Sequence, residues 1–162
     1  MNTQSQNAAV QDIRGVLIQI EGARLLLPKA TISEVLSSAD PEPVENAPAW
    51  LLGRIRWRGW QLPLVSFARL AATAEEQGDT RSKVIILKAL GGNPRAPYFA
   101  LLTQGFPRLV TVSRERLAHD ADSQSGLPEV VQASVVLNDD TAWLPDLGRI
   151  EAAISEALQQ AA

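Results

Sequence analysis

The chain has 162 residues, enough for one domain or for two small barrels that share a core. With 46% hydrophobic and 20% charged residues it has the composition of a globular protein that buries a sizeable core. Cysteine is absent, which excludes disulfides, thiolate metal ligands and cysteine nucleophiles, and the net charge of −3 is too small to favour or exclude most partners.

The N-terminal segment Met1–Asp12 is polar and contains neither Lys nor Arg nor an apolar run. We therefore predict a disordered leader at 1–12 rather than a secretory signal. Nothing elsewhere approaches the ~18 consecutive apolar residues of a membrane span. The expected location is the cytoplasm.

From Ile13 onward, short runs rich in Val, Ile and Leu alternate with Gly, Pro and polar clusters, as in chains of short antiparallel strands. The pairs Glu21-Gly22 and Arg58-Gly59 place a glycine where a tight hairpin needs positive φ. The run Gly91-Gly92-Asn93-Pro94 also predicts a turn. The predicted strands are Val16–Ile20, Arg24–Leu27, Ile32–Ser37, Arg54–Trp57, Gln61–Val65, Lys83–Leu90, Tyr98–Leu102, Leu109–Val112, Val130–Leu137 and Thr141–Leu144.

Two helices are predicted. In Asn46–Gly53, a possible N-cap and an early proline precede a glycine, which favours one or two helical turns. At the C-terminus, apolar residues recur at helical spacing over 147–160, after the candidate cap Asp146. Ala72–Arg81 and Ala118–Gly126 are predicted to be exposed loops.

The two halves of the chain also resemble each other. Gln61–Leu70 is similar to Trp143–Ile150, and Arg24–Pro28 is similar to Tyr98–Leu102. Two related halves of about five strands each predict an all-β fold of two small barrels, which removes exposed sheet edges. The expected organisation is a single domain over 13–162, with subdomains at roughly 13–75 and 82–147 and termini that can cross between them.

No catalytic motif is present. The single histidine, His119, begins the run His-Asp-Ala-Asp122, but this polar segment lacks metal-ligand spacing and is better interpreted as a solvated loop. Neither a Gly-x-Ser-x-Gly elbow nor a phosphate-binding glycine motif occurs. The sequence therefore predicts a non-enzymatic protein without metal or cofactor.

The segment Gly53–Gly59 carries three arginines at alternate positions. In a strand, Arg54, Arg56 and Arg58 would share one face and Trp57 would point to the other. Three guanidinium groups on one face belong either in water, as the charge of an exposed edge strand, or against an acidic partner.

Nucleic acid is a competing interpretation of this segment. The three arginines, together with Trp50, Trp57 and Trp60, could contact phosphates and stack bases on a small barrel. The pI near 5.2 and the orientation of Trp57 opposite the arginines both count against it.

The order and spacing of several motifs resemble the CheW-like coupling domains of bacterial chemosensory systems. The resemblance extends from about Val16 to Ile154. It is carried by Leu26-Leu27-Pro28, Ile32-Ser-Glu34-Val35, Asn46-Ala-Pro48-Ala-Trp-Leu-Leu-Gly53, Trp57-Arg58-Gly59, Leu62-Pro63-Leu64-Val65, Lys83-Val-Ile-Ile-Leu87, Tyr98-Phe-Ala-Leu-Leu102, Leu109-Val110 and Trp143-Leu-Pro-Asp-Leu147.

Three positions depart from the family pattern. Arg56 stands where the family usually has Asn, Ser66 where it often has Asp, and Gln104 where an Asp commonly follows the strand. A divergent or accessory member is expected, of the kind found in chemosensory systems that govern type IV pili and twitching.

The resemblance implies two five-stranded SH3-like barrels that share a hydrophobic core, with short helices and a C-terminal helix. It implies an adaptor that binds a receptor's cytoplasmic tip between the barrels, and also binds the regulatory domain of a CheA-type histidine kinase. By position, Ile32, Arg58 and Leu109 match receptor-facing residues, and Glu34 and Gly53 match the kinase contact. From the residues alone, Ile32 and Leu109 fit core strand positions equally well, Arg58 fits a surface charge and Gly53 a helix terminus.

Overall fold

The computed structural model describes residues 12–74, 81–113, 115–120 and 126–161, and 49% of the chain is strand. A 3-10 turn spans Lys29–Thr31, and helices α1 and α2 span Phe67–Leu70 and Leu147–Ala161. The strands are β1 Ile13–Ile20, β2 Ala23–Pro28, β3 Ile32–Leu36, β4 Leu51–Trp57, β5 Trp60–Val65, β6 Ser82–Lys88, β7 Tyr98–Gln104, β8 Arg108–Val112, β9 Leu117–His119, β10 Val131–Leu137 and β11 Asp140–Pro145.

The ten predicted strands are confirmed, with ends that shift by a few residues. Strand β9 was not predicted, and its last two residues fall in the predicted loop Ala118–Gly126. It pairs with β10, with His119 opposite Val135. Three residues are too few to show an alternating pattern, so only the pairing with β10 defines this strand. The predicted leader up to residue 11, and positions 75–80 and 121–125 of the predicted loops, lie outside the described residues.

The helix predicted over Asn46–Gly53 is wrong. The Leu51 N–H donates to the Pro48 carbonyl over 3.0 Å, which makes a single turn, and β4 then begins at Leu51. Leu51 is buried opposite Val65, so burial in the sheet overrides the local helical signals. Gly53 consequently lies inside a strand and does not terminate a helix.

The predicted C-terminal helix is confirmed as α2. Asp146 caps it, because its Oδ1 accepts the Arg149 N–H over 3.1 Å. The predicted apolar stripe faces the core, with Leu147, Ile150 and Ile154 buried.

The strands form two sheets. The six-stranded sheet has the order β8-β1-β2-β11-β10-β9 and the five-stranded sheet has the order β3-β6-β7-β5-β4. Neighbouring strands are antiparallel except β2 with β11 and β5 with β7, which are parallel. Strands β1 and β2 thus lie in a sheet whose other strands all come from the second half of the chain.

Each sheet contains strands that are buried on both faces. On β6, Ile85 and Leu87 belong to a large core cluster with α2 and β1, whereas Val84 and Ile86 belong to a separate cluster enclosed by the five-stranded sheet. A third cluster lies inside the six-stranded sheet. Two barrels that share one core therefore explain why β6 and β7 are continuous apolar runs.

Matching hydrogen bonds relate the two halves. The Ser66 N–H donates to the Trp50 carbonyl over 2.9 Å, and the Asp146 N–H donates to the Val130 carbonyl over 2.7 Å. Each of these two residues also caps the helix that follows it with a side-chain oxygen. The sequence similarity between 61–70 and 143–150 therefore reflects the same hairpin-to-helix unit, built as β4-β5-α1 and as β10-β11-α2.

Asp140 of β11 forms ion pairs with arginines of two other strands of the six-stranded sheet. Its carboxylate pairs with Arg24 of β2 at 3.0 Å and with Arg108 of the edge strand β8 at 3.2 Å. Because these side chains are 40 to 63% exposed, Asp140→Ala should lower the free energy of unfolding by only about 1 kcal/mol. Urea unfolding would measure this, with Glu115→Ala as a control. Equal stability of the two variants would show that the pairs do not support the barrel.

Candidate functional site

The exposed face of β4 carries two of the three arginines of the Gly53–Gly59 segment. Arg54 and Arg56 are exposed, while Ile55 and Trp57 are buried, as strand alternation predicts. Arg58 does not continue this face. It lies in a two-residue turn with φ of 48°, followed by Gly59 with φ of 82°, the conformation that such hairpins require.

Arg58 and Glu34 form an ion pair of 2.9 Å between Nη2 and Oε1. Glu34 lies on β3 and Arg58 follows β4, which are the two edges of the five-stranded sheet. Their contact is possible only because the sheet curls until its edges meet. The Arg58 guanidinium also lies 4.9 Å from the Trp57 ring centroid, in a cation–π contact. The fold therefore joins two residues that the family resemblance assigns to different partners.

Gly53 lies where another segment of the chain pairs with β4 through the Glu42–Arg54 bridge. Residues 42 and 54 exchange two backbone hydrogen bonds of 2.8 Å each, just beside Gly53. Gly53 has φ of +146°, and a Cβ placed there would lie 2.5 Å from the Glu42 carbonyl oxygen. Only glycine fits this close approach of two backbones. If Gly53 contributes to partner binding, it therefore does so through the backbone of the Glu42–Arg54 bridge.

Leu109 and Ile32 both border the shared core, from different sheets. Leu109 is 61% exposed on the edge strand β8, directly opposite Val16 of the shared core. Ile32 is half-buried at the start of β3 and packs against the same core. Phe106, just before β8, is 71% exposed. Single exposed apolar side chains are common on protein surfaces, so their exposure leaves Leu109 and Phe106 accessible to a partner without itself indicating one.

The three departures from the family pattern have different surroundings. Ser66 is fully buried and its Oγ accepts the Arg69 N–H over 3.3 Å, so it caps α1 as an aspartate would. Arg56 is exposed on β4, and Gln104 is the half-buried last residue of β7. Arg56 is therefore the departure that changes the charge of an accessible surface.

The structure does not favour the nucleic-acid interpretation. Trp57 is only 7% exposed and packs edge-on against Tyr98 at 4.9 Å, so its ring is not open to bases. Trp60 is 38% exposed, next to the turn. The arginines and tryptophans do not form one stacking platform.

His119 is exposed on β9 and does not lie in a loop. Among the described residues, no three His, Cys, Asp or Glu side chains are grouped so that they could hold a metal ion. Neither helix of the described chain is long and apolar enough to cross a membrane.

A groove between β5, β7 and α2 was not predicted from the sequence. Trp60, Arg95, Tyr98 and Glu151 line this groove, although these four residues come from three separate segments of the chain. The exposed aromatic next to Gly59 was the one local signal for it. Which residues face Trp60 depends on the arrangement of β5, β7 and α2.

Two curled β-sheets around a common core, with charged and apolar residues exposed at their edges, define a β domain of double-barrel architecture. The family model of the CheW-like domain matches residues 14–153, and the chain belongs to this family. The family consists of non-enzymatic scaffolds and adaptors, which confirms the predicted absence of catalysis and supports an adaptor role in chemotaxis.

A solved structure shows the same fold. The scaffolding protein TtCheW from Thermoanaerobacter tengcongensis matches 82% of this chain and 88% of its own with a TM-score of 0.69, at 13% sequence identity. The predicted fold of two SH3-like barrels is thereby confirmed. No curated protein sequence matches the chain significantly.

Proposed function

We propose that the chain couples the cytoplasmic tip of a chemoreceptor to the regulatory domain of a CheA-type histidine kinase, in the cytoplasm. The Arg58–Glu34 ion pair carries this proposal. It joins the receptor-matched residue Arg58 to the kinase-matched residue Glu34 at 2.9 Å. A partner that engages either charge therefore changes the electrostatic surroundings of the other.

The receptor tip would bind where the two barrels adjoin. An amphipathic helix places apolar side chains at i, i+3 and i+4 and needs apolar surface on both sides of a groove. Ile32 and Leu109 offer such surface from the two sheets, and Arg58 adds a charge that can select the orientation of the helix. Burial of Leu109 against a helix would remove one of the most exposed apolar side chains of the described surface.

The kinase domain would bind at the seam where β3 meets β4. Glu34 lies on one edge strand, and Gly53 lies on the other, beside the Glu42–Arg54 bridge. An edge strand with a fixed backbone is a suitable surface for a second β domain. Assignment to a pilus-driven motility system stays a prediction.

The receptor contact can be tested with Leu109→Asp. Leu109 is already 61% exposed, so the free energy of unfolding should change by about 0.5 kcal/mol, whereas the receptor tip should bind about tenfold more weakly or worse. Calorimetric titration with a receptor cytoplasmic fragment and with the kinase regulatory domain would measure both contacts. Gln132→Asp is the control, because Gln132 is exposed on β10, which three strands of the sheet separate from β8. Equal receptor affinity of both variants, or no binding by the wild type, would contradict the proposal.

A further inference from the structure

A groove of about 860 Å³ opens between β5, β7 and α2. Strands β5 and β7 pair only at Leu64 with Ala100 and at Val65 with Leu101, so the start of β5 separates from the start of β7. Trp60–Pro63 line one side of this opening and Pro97–Phe99 the other. Helix α2 contributes a further wall through one face, which includes Glu151 and Leu158.

The backbone of β5 offers hydrogen-bonding groups to this opening. In a hairpin with a two-residue turn, the residues next to the turn exchange hydrogen bonds and the following pair does not. Trp57 and Trp60 are the pair next to the turn, and Arg56 and Gln61 follow. The N–H and C=O of Gln61 therefore point away from β4, toward the groove. An extended segment can bind such groups as an added strand.

The apolar lining includes aromatic and proline side chains next to aliphatic ones. The rings of Trp60 and Tyr98 are in an edge-to-face arrangement at 6.3 Å, and Pro63 and Pro97 lie near them in the chain and also line the groove. Tyr98 is held from behind by the buried Trp57 at 4.9 Å. A rigid aromatic surface loses little conformational entropy when it binds an apolar side chain. Such a surface therefore favours this binding more than a flexible surface would.

The charges of the groove select an acidic ligand. Arg54 and Arg95 both line it and are exposed, and neither forms an ion pair with another described residue. The lining acid, Glu151, is already engaged, since its two carboxylate oxygens accept the N–H groups of Leu90 and Gly91 at 2.9 Å each. Two exposed arginines against one carboxylate leave the groove with a net positive charge of one, on a chain whose net charge is −3.

We propose that this groove binds an extended acidic segment of a partner protein. An apolar side chain of the segment contacts Trp60 and Tyr98, and its carboxylates pair with Arg54 and Arg95. Neither Arg58 nor Leu109 lines the groove, so this contact goes beyond the proposed coupling function. An experiment can therefore contradict the groove proposal and leave the coupling proposal intact.

The test uses the whole chain and two short fluorescein-labelled peptides. One contains Asp, Pro and Leu in alternation, and in the other every Asp is replaced by Lys. Fluorescence anisotropy should show binding of the acidic peptide, and the double variant Arg54→Glu with Arg95→Glu should weaken that binding about tenfold or more. Arg116→Glu is the control, because Arg116 is exposed outside the groove.

A second readout locates the bound peptide. In amide correlation spectra, the indole signal of Trp60 should shift on addition of the acidic peptide, and that of Trp143, which lies outside the groove, should not. Absence of binding, equal affinity for both peptides or equal effects of the variants and the control would overturn the proposal. Displacement of the acidic peptide by a single-stranded oligonucleotide with higher affinity would also overturn it, in favour of a nucleic-acid ligand.

Discussion

Replacing Gly53 by alanine is expected to lower the free energy of unfolding by roughly 3 kcal/mol. The φ of +146° is a region that essentially only glycine occupies, and holding another residue there costs about 1–3 kcal/mol. The new Cβ would also lie 2.5 Å from the Glu42 carbonyl oxygen and would separate the backbones of Glu42 and Arg54. Each of the two hydrogen bonds lost there is worth about 1 kcal/mol.

Thermal unfolding would measure this effect, as a fall in the midpoint of roughly 6–12 °C for a chain of this size. Gly92→Ala is the matched control. Gly92 also has a positive φ, of +75°, but a Cβ there would meet nothing within 4 Å. A midpoint for Gly53→Ala as high as that of Gly92→Ala would show that the Glu42–Arg54 bridge does not require glycine at position 53.

The same variant also bears on the proposed kinase contact. Glycine has no side chain that a partner could contact. If Gly53→Ala binds the kinase domain more weakly, we therefore expect the Glu42–Arg54 bridge to be lost as well. Amide hydrogen exchange at residues 42 and 54 would report the bridge directly. If the bridge persists while kinase binding falls, the partner contacts the strand at Gly53 itself.

Arg58→Glu should abolish coupling and leave the chain folded. Arg58 is 69% exposed, and exposed ion pairs contribute at most about 1 kcal/mol to stability. At an interface, however, the reversed charge would repel an acidic group of the receptor, and the loss of a charge pair there costs about 2–5 kcal/mol. Receptor affinity should therefore fall more than about tenfold, while the thermal midpoint changes little. Titration with the receptor fragment, beside thermal unfolding, separates the two effects.

The charge-swapped variant, Arg58→Glu with Glu34→Arg, distinguishes two roles of the pair. If the pair serves only to hold the edges of the barrel together, the swap re-forms the ion pair and restores receptor binding. If each residue contacts its own partner, receptor binding stays lost although the ion pair is re-formed. We expect the second result, because the 2.9 Å contact leaves both side chains partly open to solvent. Unchanged receptor affinity of the single variant Arg58→Glu would reduce Arg58 to a solvated charge.

The candidate site was only partly predictable from the sequence. Alternation correctly placed Arg54 and Arg56 on an exposed face, because side-chain direction in a strand depends only on position along the strand. It misplaced Arg58, which the hairpin needs at positive φ in the turn. The capping signals of Asn46–Gly53 wrongly gave Gly53 a helical role, because the contact that demands glycine comes from Glu42, outside the local pattern.

The sequence by itself determined the local structure and the family. Strands, hairpin turns and the C-terminal helix follow from side-chain periodicity and from residues with special backbone preferences, which act over a few positions. The spacing of the motifs along the chain was sufficient to indicate a CheW-like domain, and the family match over residues 14–153 agrees with it.

Only the tertiary structure decided which of these elements meet. The order of strands and the curl of each sheet bring Glu34 to Arg58, Asp140 to Arg108, and Trp60 to Tyr98 and α2. Such contacts depend on strand order, pairing register and accumulated twist, none of which is encoded in a single segment. For this reason the ion pair that closes the five-stranded barrel and the cationic groove beside it became visible only once the two sheets were in place.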